Sequence, residues 1–512
     1  MHPSKKATEP PVEVELKFQL TPESEAILRT DDIFGPAALR VRQITTYHDT
    51  PDSLLRAAGL TLRIRDENGH FVQNVKSRDA GTGLASSRLE WEWPVTNGTP
   101  DVEKLTRVAQ LAALAEQIAD RLELIIVTDI WRTRHLVELD DGAVAEVSLD
   151  IGSIVSGDKS EPVCEMELEL KHGPVAPLYR LAIRLAERAP MWISAQSKAA
   201  RGWALHDCQG DGATTLGKPM IDRKVSAAAG LNQIIGALLG HLTGNNAPTL
   251  SGDPEALRQM RGALRRLRAV FRLFRPLLDK RDVARFTVSL QQFAQIFGAA
   301  RDWDVFCLQT LPAVMAELPE QDWTELSALA TAKRTNVHFA VQRVICGRDF
   351  TLLILQLALW AETTAAAPPN SNNKRLTKRL SETAPALLDS FAEKAKQAGR
   401  HPAQLSMPAL HDFRKALDRL NAAIRFLGTT YPAQRVKAYS KRSDAVRDII
   451  GAANDAEVTK ALAHDLAAVG NADVLASIKA LDIWAEQRQD YVLTDLKQAA
   501  RKFRKASEFW RT

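Results

Sequence analysis

The 512-residue sequence predicts an α+β chain of two unlike parts, an antiparallel β barrel followed by a duplicated all-α bundle. Three observations carry this expectation. Residues 12–206 form a series of short alternating runs separated by Gly, Asn and Asp turns. From 220 onward the sequence is rich in Ala, Leu and Arg, with apolar residues three and four apart. Within that second part the apolar spacing recurs at an offset of 153 residues. A chain of this length exceeds one ordinary core. The expected division is 1–206, a polar linker at 207–221, and 222–512 in two repeats of about 222–365 and 374–512.

The first run, VEVELKFQL, contains Glu13-Val-Glu-Leu-Lys17. Strand alternation sets Glu13, Glu15 and Lys17 on one face, the two carboxylates about 7 Å apart, with Val14 and Leu16 on the other. Paired carboxylates beside an ammonium make a poor core but suit a divalent cation and a phosphate. The runs GLTLRIRD, HFVQNVKS, SRLEWEWPV, TDIWRTRHLVEL, AVAEVSLDIGSIV and EPVCEMELELK repeat the arrangement. They place Arg63 with Arg65, then Lys76, then Arg88 with Glu90 and Glu92. Arg132 with Arg134, Glu146 with Asp150, and Glu165 with Glu167 and Glu169 follow. Helical patterns interrupt at about 101–120 and 174–189. Were all these faces outside, the charges would be solvated decoration over a small core. That account fits one or two strands, but solvent faces usually mix in Thr, Ser and Gln. Seven charged faces favour a charged lumen.

Residues 207–219 (DCQGDGATTLGKP) read as a linker. Gly212 to Lys218 imitates a phosphate-binding loop. Pro219 stands where a hydroxyl is needed, however, and no apolar strand precedes, so this reading is rejected.

In the helical part, Leu257, Met260, Leu264, Leu267, Phe271 and Phe274 are matched 153 residues later by Leu410, Phe413, Leu417, Leu420, Ile424 and Leu427. Gly298-Ala-Ala-Arg-Asp302 is matched by Gly451-Ala-Ala-Asn-Asp455, and Ala365 to Asn373 reads as the link between copies. One position beyond the first apolar stripe runs a basic one: Arg258, Arg261, Arg265, Arg268, Arg272 and Arg275. Arg266 joins them, and no acid falls between 258 and 275. A charge run is usually a solvated helix face. Seven like charges on one helix nonetheless repel each other unless a polyanion is present. The second copy is thinner: His411, Arg414, Lys415, Arg419 and Arg425.

Charge is partitioned in the same way. Residues 1–210 hold 24 basic and 32 acidic residues, a net of −8; the remainder holds 43 and 30, a net of +13. Metal at one end and a polyanion at the other is the natural reading. Cys164, Cys208, Cys307 and Cys346 are widely spaced, without a C-x-x-C pair, which suits reduced thiols. The sequence shows neither an apolar signal core nor a long uncharged apolar run. The expectation is therefore a cytoplasmic protein with no membrane partner.

At residues 10–206 the chain resembles the CYTH superfamily, the triphosphate tunnel metalloenzymes. The likeness rests on Glu13-x-Glu15-x-Lys17, Tyr47-His-Asp-Thr-Pro51, Arg63-x-Arg65, Gln73-Asn-Val-Lys76, Arg88-x-Glu90-x-Glu92, Arg132-x-Arg134, Asp150-Ile-Gly152, Glu165-x-Glu167 and Ser197-Lys198, in that order. Asn74 departs from the usual Thr, and little is expected of that change. The resemblance implies an eight-stranded tunnel holding a linear triphosphate with Mg²⁺ or Mn²⁺. Glu13, Glu15, Asp150, Glu165 and Glu167 would hold metal, with Glu169 on the same face. Lys17, Arg63, Arg65, Lys76, Arg88, Arg132, Arg134 and Lys198 would clamp phosphate oxygens. Glu90, Glu92 and Glu146 would orient the attacking water or pair with the arginines, pairing being the favoured role for Glu90 and Glu92.

Residues 222–512 resemble the CHAD domain, a helical domain associated with inorganic polyphosphate. Here the likeness rests on Arg261-x-x-x-Arg265-Arg266-Leu-Arg268, Arg301-Asp-Trp-Asp-Val305, His411-x-x-Arg414-Lys415 and Asn454-Asp455. Arg258 occupies the position of the family's histidine in the first copy, which argues against histidine-based metal chemistry. Asp302 and Asp455 are read as partners of arginines.

The function expected is metal-dependent hydrolysis of inorganic triphosphate to diphosphate and phosphate, with polyphosphate bound by the basic half. The expected location extends to polyphosphate granules. Two other classes compete. One is a tunnel enzyme acting on an organic triphosphate (thiamine triphosphate, an RNA 5′ end, or ATP by cyclisation). The other is a non-catalytic polyphosphate binder. Nucleic acid is disfavoured, because no aromatic residues interleave the arginines.

Overall fold

A computed structural model of the chain describes residues 12–34, 40–77, 83–210, 212–217, 221–367, 374–402, 405–468, 470–489 and 492–511. Lys218 and Pro219, much of the link between the copies, and the side chains of Asn454 and Asp455 lie outside the described residues. Packing divides the chain into two compact units. One comprises Met1–Thr214, Leu242–Ser251 and Ile345–Glu362, and the other Thr215–His241, Gly252–Val344 and Thr363–Thr512. This grouping follows contacts, whereas the division at 206 and 222 follows composition.

The first unit is built on nine strands: β1 (Val12–Leu20), β2 (Arg40–Asp49), β3 (Leu60–Glu67), β4 (His70–Ser77), β5 (Ser86–Val95), β6 (Glu123–Glu138), β7 (Val144–Ser156), β8 (Lys159–His172) and β9 (Met191–Ile193). Their order is β5-β4-β3-β2-β6-β7-β8-β1, and β1 pairs back to β5, closing an eight-stranded antiparallel barrel. Closure leaves no open sheet edge among the eight. The edge of β1 that faces β5 at Val12–Glu15 is continued by short β9 at Phe18–Leu20.

Of the eight barrel strands, β2 is the one that alternation in the sequence fails to reveal. Its stretch RVRQITTYHD places neutral polar side chains inward and arginines outward, so no apolar rhythm marks it. In the structure it still alternates in burial and pairs along its length with β3 and β6.

Outside the lumen, the apolar faces pack as the strand pattern demands. Leu16, Phe18, Leu62, Ile64, Val75, Ile130, Val147, Leu149, Met166 and Leu168 are buried. The helix Ala176–Arg188 buries Leu178, Leu181, Ala182 and Leu185 from one face.

In the second unit the duplication is visible in element limits. The helices Ala227–Gly244, Pro254–Phe274 and Lys280–Val305 begin 153 residues before Leu380–Ala398, Met407–Leu427 and Ala433–Ala467. Both predicted apolar stripes are buried throughout. The copies meet through equivalent residues: Ser226 forms a β-bridge with Arg379, which is its own counterpart. Leu380 N donates to Val225 O at 2.9 Å and Ala227 N to Lys378 O at 2.8 Å, bonds that interchange when the copies are swapped. The repeats are therefore related by a local pseudo-two-fold axis.

Among the described residues no single helix is long and apolar enough to cross a membrane. All four cysteines are free thiols.

One close approach tests the barrel register. A Cβ at Gly152 on β7 would lie 2.7 Å from Ile130 Cα and nearer still to Asp129 O, both backbone atoms of β6. Backbone cannot move aside as a flexible side chain does. Gly152→Ala should cost about 3 kcal/mol or more, measured by denaturant unfolding; an unchanged midpoint would mean that the β6–β7 register is wrong.

Candidate active site

The barrel encloses a cavity of about 260 Å³. Its lining holds nine cationic side chains and eight carboxylates, delivered by inward positions of the strands and by residues 197–199. The period of two in β structure accounts for this, since Glu13, Glu15 and Lys17 enter the lumen while Val14 and Leu16 point away. Arg63, Arg65, Lys76, Arg88, Glu90, Glu92, Arg132, Arg134, Glu146, Glu167 and Glu169 reach it by the same rule. Asp150 and Glu165 share that inward parity but are fully buried behind the lining.

At the deep wall, register decides the chemistry. Arg132 on β6 stands opposite Asp150 on β7, and Asp150 opposite Glu165 on β8. Arg132 donates twice to Asp150, at 2.7 and 2.6 Å, and once to Glu167 at 2.7 Å. Lys198 Nζ lies 2.7 Å from Asp150, 2.5 Å from Glu165 and 3.2 Å from Glu167. Lys17 adds a contact to Glu167 at 2.8 Å. Burial alone would push these carboxyls up. The surrounding cations win, so Asp150 falls below the usual range, and Glu167 well below it under Lys17, Lys198 and Arg132.

Lys198 owes its place to the helix Lys198–Asp207, capped by Ser197, whose Oγ accepts from Ala200 N at 3.1 Å. One turn later Arg201 binds Glu165 at 3.0 Å, Glu161 at 2.6 Å and the Pro162 carbonyl at 2.6 Å.

The rest of the lumen pairs in the same manner. Lys76 holds Glu13 at 2.7 Å and Glu90 at 3.2 Å, and Arg88 holds Glu15 at 2.6 Å. Arg65 reaches Glu92 at 3.3 Å, Arg134 pairs with Glu67, and Lys171 binds Glu169 at 2.7 Å. Burial raises Glu13 to about 7 against the pull of Lys76, and it also raises Glu169. Glu15 moves the other way, because Lys17, Arg88 and Lys76 outweigh its burial. The Arg88 Nε is buried without a hydrogen-bond partner.

Four participants in the charge network escaped the sequence reading. Glu67 and Lys171 extend the alternations Arg63-x-Arg65-x-Glu67 and Glu167-x-Glu169-x-Lys171 by one step, so a longer window would have found them. Arg201 sits one helical turn after Lys198, a signal available only once Lys198 is placed. Asn74, from which little was expected, is a node. It is fully buried, its Oδ1 accepts from Arg63 Nε at 2.9 Å, and its Nδ2 donates to Glu90 and to Glu92.

Three carboxylates are close enough to share a hard cation: oxygens of Asp150, Glu165 and Glu167 lie within 4.8 Å of one another. The residues therefore fit a divalent ion. The oxygens now held by Lys198 would be the ones to reorient. Glu13 and Glu15 lie in the lumen, and Glu169 is turned to Lys171.

In the helical unit the basic stripe is less uniform than its spacing suggests. Arg258 pairs with Glu255, an acid just outside the window that appeared acid-free, at 2.5 Å. Arg261 meets Asp302 at 3.6 Å, and Arg265 interacts with Asp418, its counterpart in the other copy, and with Arg414, the counterpart of Arg261. Burial, with Arg425 and Arg265 nearby, lowers Arg266 to about 10; burial also lowers Arg268, Arg272 and Arg425. Buried nitrogens of Arg266, Arg268, Arg414 and Arg425 lack hydrogen-bond partners. His411, Lys415 and Arg419 lie on the second helix, the first two exposed.

A closed eight-stranded barrel with a charge-lined lumen, followed by a duplicated helical unit, defines a tunnel domain joined to a helical one. Residues 12–203 match the CYTH domain model and residues 233–464 the CHAD domain model, so the chain carries both. An inorganic triphosphatase from Haemophilus influenzae is 35% identical over 164 residues, 31% of this chain and 45% of that protein. The chain thus matches less than half the length of this curated relative. The CHAD domain of the plant Ricinus communis aligns with a TM-score of 0.52 and 22% identity, over 59% of this chain and 99% of that one, a likeness of fold. A candidate adenylyl cyclase from Hippeastrum, described as having a dominant triphosphatase activity, aligns at 20% identity and a TM-score of 0.29, over 38% of this chain and 96% of that one.

Removing the central ammonium tests the network. Lys198→Met leaves Asp150, Glu165 and Glu167 short of a buried cation and should destabilise the first unit by about 3 kcal/mol in metal-free buffer. Millimolar Mg²⁺ should recover part of that loss. Equal thermal stability of mutant and wild type without metal would contradict the ion network.

Proposed function

We propose that the barrel hydrolyses inorganic triphosphate to diphosphate and phosphate with Mg²⁺ or Mn²⁺, and that the helical unit binds inorganic polyphosphate. The observation that carries the first half is the lining itself. All nine lumen cations are ion-paired with carboxylates within 4 Å, and Tyr47 is the only aromatic side chain among the described lining residues. Such a lumen offers charge for a compact polyanion and no platform for a base or thiazole ring.

Glu13, Glu15, Glu167, Asp150 and Glu165 are the residues that would hold the cation, which when bound would offset phosphate charge and acidify a water. The remaining roles belong to the chain. As carboxylates turn to metal, Lys17, Arg63, Arg65, Lys76, Arg88, Arg132, Arg134 and Lys198 exchange them for phosphate oxygens. Arginines can do so bidentately. Because the wall is closed, the substrate is held in line along the barrel axis, and positioning supplies much of the rate. Glu146, beside Lys171 at 3.7 Å, has the weakest ion pair of the lumen acids and is the candidate to orient water.

The second half rests on the arginines. Partly buried guanidiniums with unpaired N–H groups are stabilised by phosphate oxygens. Arg261 and Arg414 occupy equivalent positions, 153 residues apart, in copies related by the local two-fold. Polyphosphate reads the same in both directions and suits such symmetry; a nucleic acid strand does not.

Three outcomes are expected. Glu167→Gln should lower kcat on tripolyphosphate about 10²-fold in a folded protein, with kcat/KM for wild type far higher on tripolyphosphate than on ATP or thiamine triphosphate. Comparable efficiency on an organic triphosphate would shift the assignment to that class. Separately, changing Arg261, Arg265, Arg268 and Arg272 together to Gln should abolish salt-sensitive binding of long polyphosphate. Retained affinity in a binding titration would reduce the stripe to a solvated face.

A further inference from the structure

The shortest strand of the barrel unit holds a position out of proportion to its length. β9 pairs with β1 at Phe18, Gln19 and Leu20, and the next residue, Ser194, donates its N–H to the carbonyl of Lys17 at 2.9 Å. Three residues further on, Ser197 caps the helix whose first residue is Lys198. The stretch 191–197 therefore links the backbone of one lumen cation to the placement of another.

A three-residue strand has too few ladder bonds to hold itself, and its outer edge needs partners as well. On that edge the carbonyl of Met191 accepts from Thr351 Oγ1 at 2.7 Å, and the carbonyl of Ile193 accepts from Asn246 Nδ2 at 2.9 Å. All four residues are buried. Both donors come from stretches remote in sequence, 242–251 and 345–362, which pack in the same compact unit as the barrel. Two side chains thus take the place of a missing neighbouring strand.

We propose that Thr351 and Asn246 are positioning residues for Lys198: they fix β9, and β9 fixes the capped helix start that carries the ammonium into the acid cluster. The catalytic arm of this inference rests on the tunnel activity proposed above; the structural arm does not.

The test uses the full chain. Thr351→Val keeps the shape and removes the donor, leaving a buried carbonyl unpaired. It should lower kcat on tripolyphosphate about fivefold or more, while Thr351→Ser, which keeps the hydroxyl, should stay within about twofold of wild type. In a Lys198→Met background, Thr351→Val should add almost nothing, because both act through one group. Full additivity would overturn the proposal, since a merely structural defect would add. Hydrogen exchange supplies the independent arm: amides in 189–201 should exchange faster in Thr351→Val and in Asn246→Ala, and at the wild-type rate in Thr351→Ser. Unchanged exchange in the first two variants would also overturn it. If wild type fails to turn over tripolyphosphate, the functional reading falls while the exchange result still decides the role of these two side chains.

Discussion

Five buried or largely buried charges, Arg132, Lys198, Asp150, Glu165 and Glu167, constrain everything around them. None could be taken from water alone, because the desolvation of an isolated ion costs more than an ordinary domain's stability allows. They become tolerable as a set, with each carboxylate meeting at least one cation within 3 Å. The register of β6, β7 and β8 is what brings them together. A slip of one residue would send every charge to the apolar side. The barrel's register and its electrostatics therefore specify each other.

The same balance sets the terms of the exchange proposed for the lumen. Nine cations facing eight carboxylates leave little net field for an anion to follow, so a polyanion gains most when a divalent ion occupies the acids and frees their partners. The helical unit solves a different problem. Its arginines are partly buried and crowded, several guanidinium nitrogens lack a partner, and the charged form of Arg266, Arg268, Arg272 and Arg425 is disfavoured as a result. One unit stores its countercharge internally, while the other holds buried guanidinium nitrogens that no hydrogen-bond partner meets.

Much of this was legible in the sequence where a period and a charge coincide. Glu13-x-Glu15-x-Lys17 and Glu165-x-Glu167 announce an inward face because carboxylates cannot serve as core. The 153-residue offset announces the repeats because burial requires the same apolar spacing twice. What stayed hidden lacked one of the two signals. β2 turns Gln43, Thr45 and Tyr47 inward, neutral side chains that carry no charge signature. Asn74 reads as a trivial change until its two faces are seen bridging Arg63 to Glu90 and Glu92. By spacing Arg258 belongs to an unbalanced stripe, yet Glu255, one turn upstream, neutralises it. The roles of Asn246 and Thr351 depend on contacts 53 and 160 residues away in sequence, which no local pattern encodes.

The central claim is that the lumen is where metal and triphosphate meet. The most direct measurement is a crystal structure of the full chain with Mn²⁺ and a non-hydrolysable imidotriphosphate, using anomalous scattering to locate the metal. The account predicts a manganese peak inside the barrel, bounded by carboxylates from Glu13, Glu15, Asp150, Glu165 and Glu167. It also predicts phosphate oxygens on Arg63, Arg65, Arg88 and Arg132 in place of their present partners. Metal and analogue bound elsewhere, with the lumen ion pairs undisturbed, would contradict it.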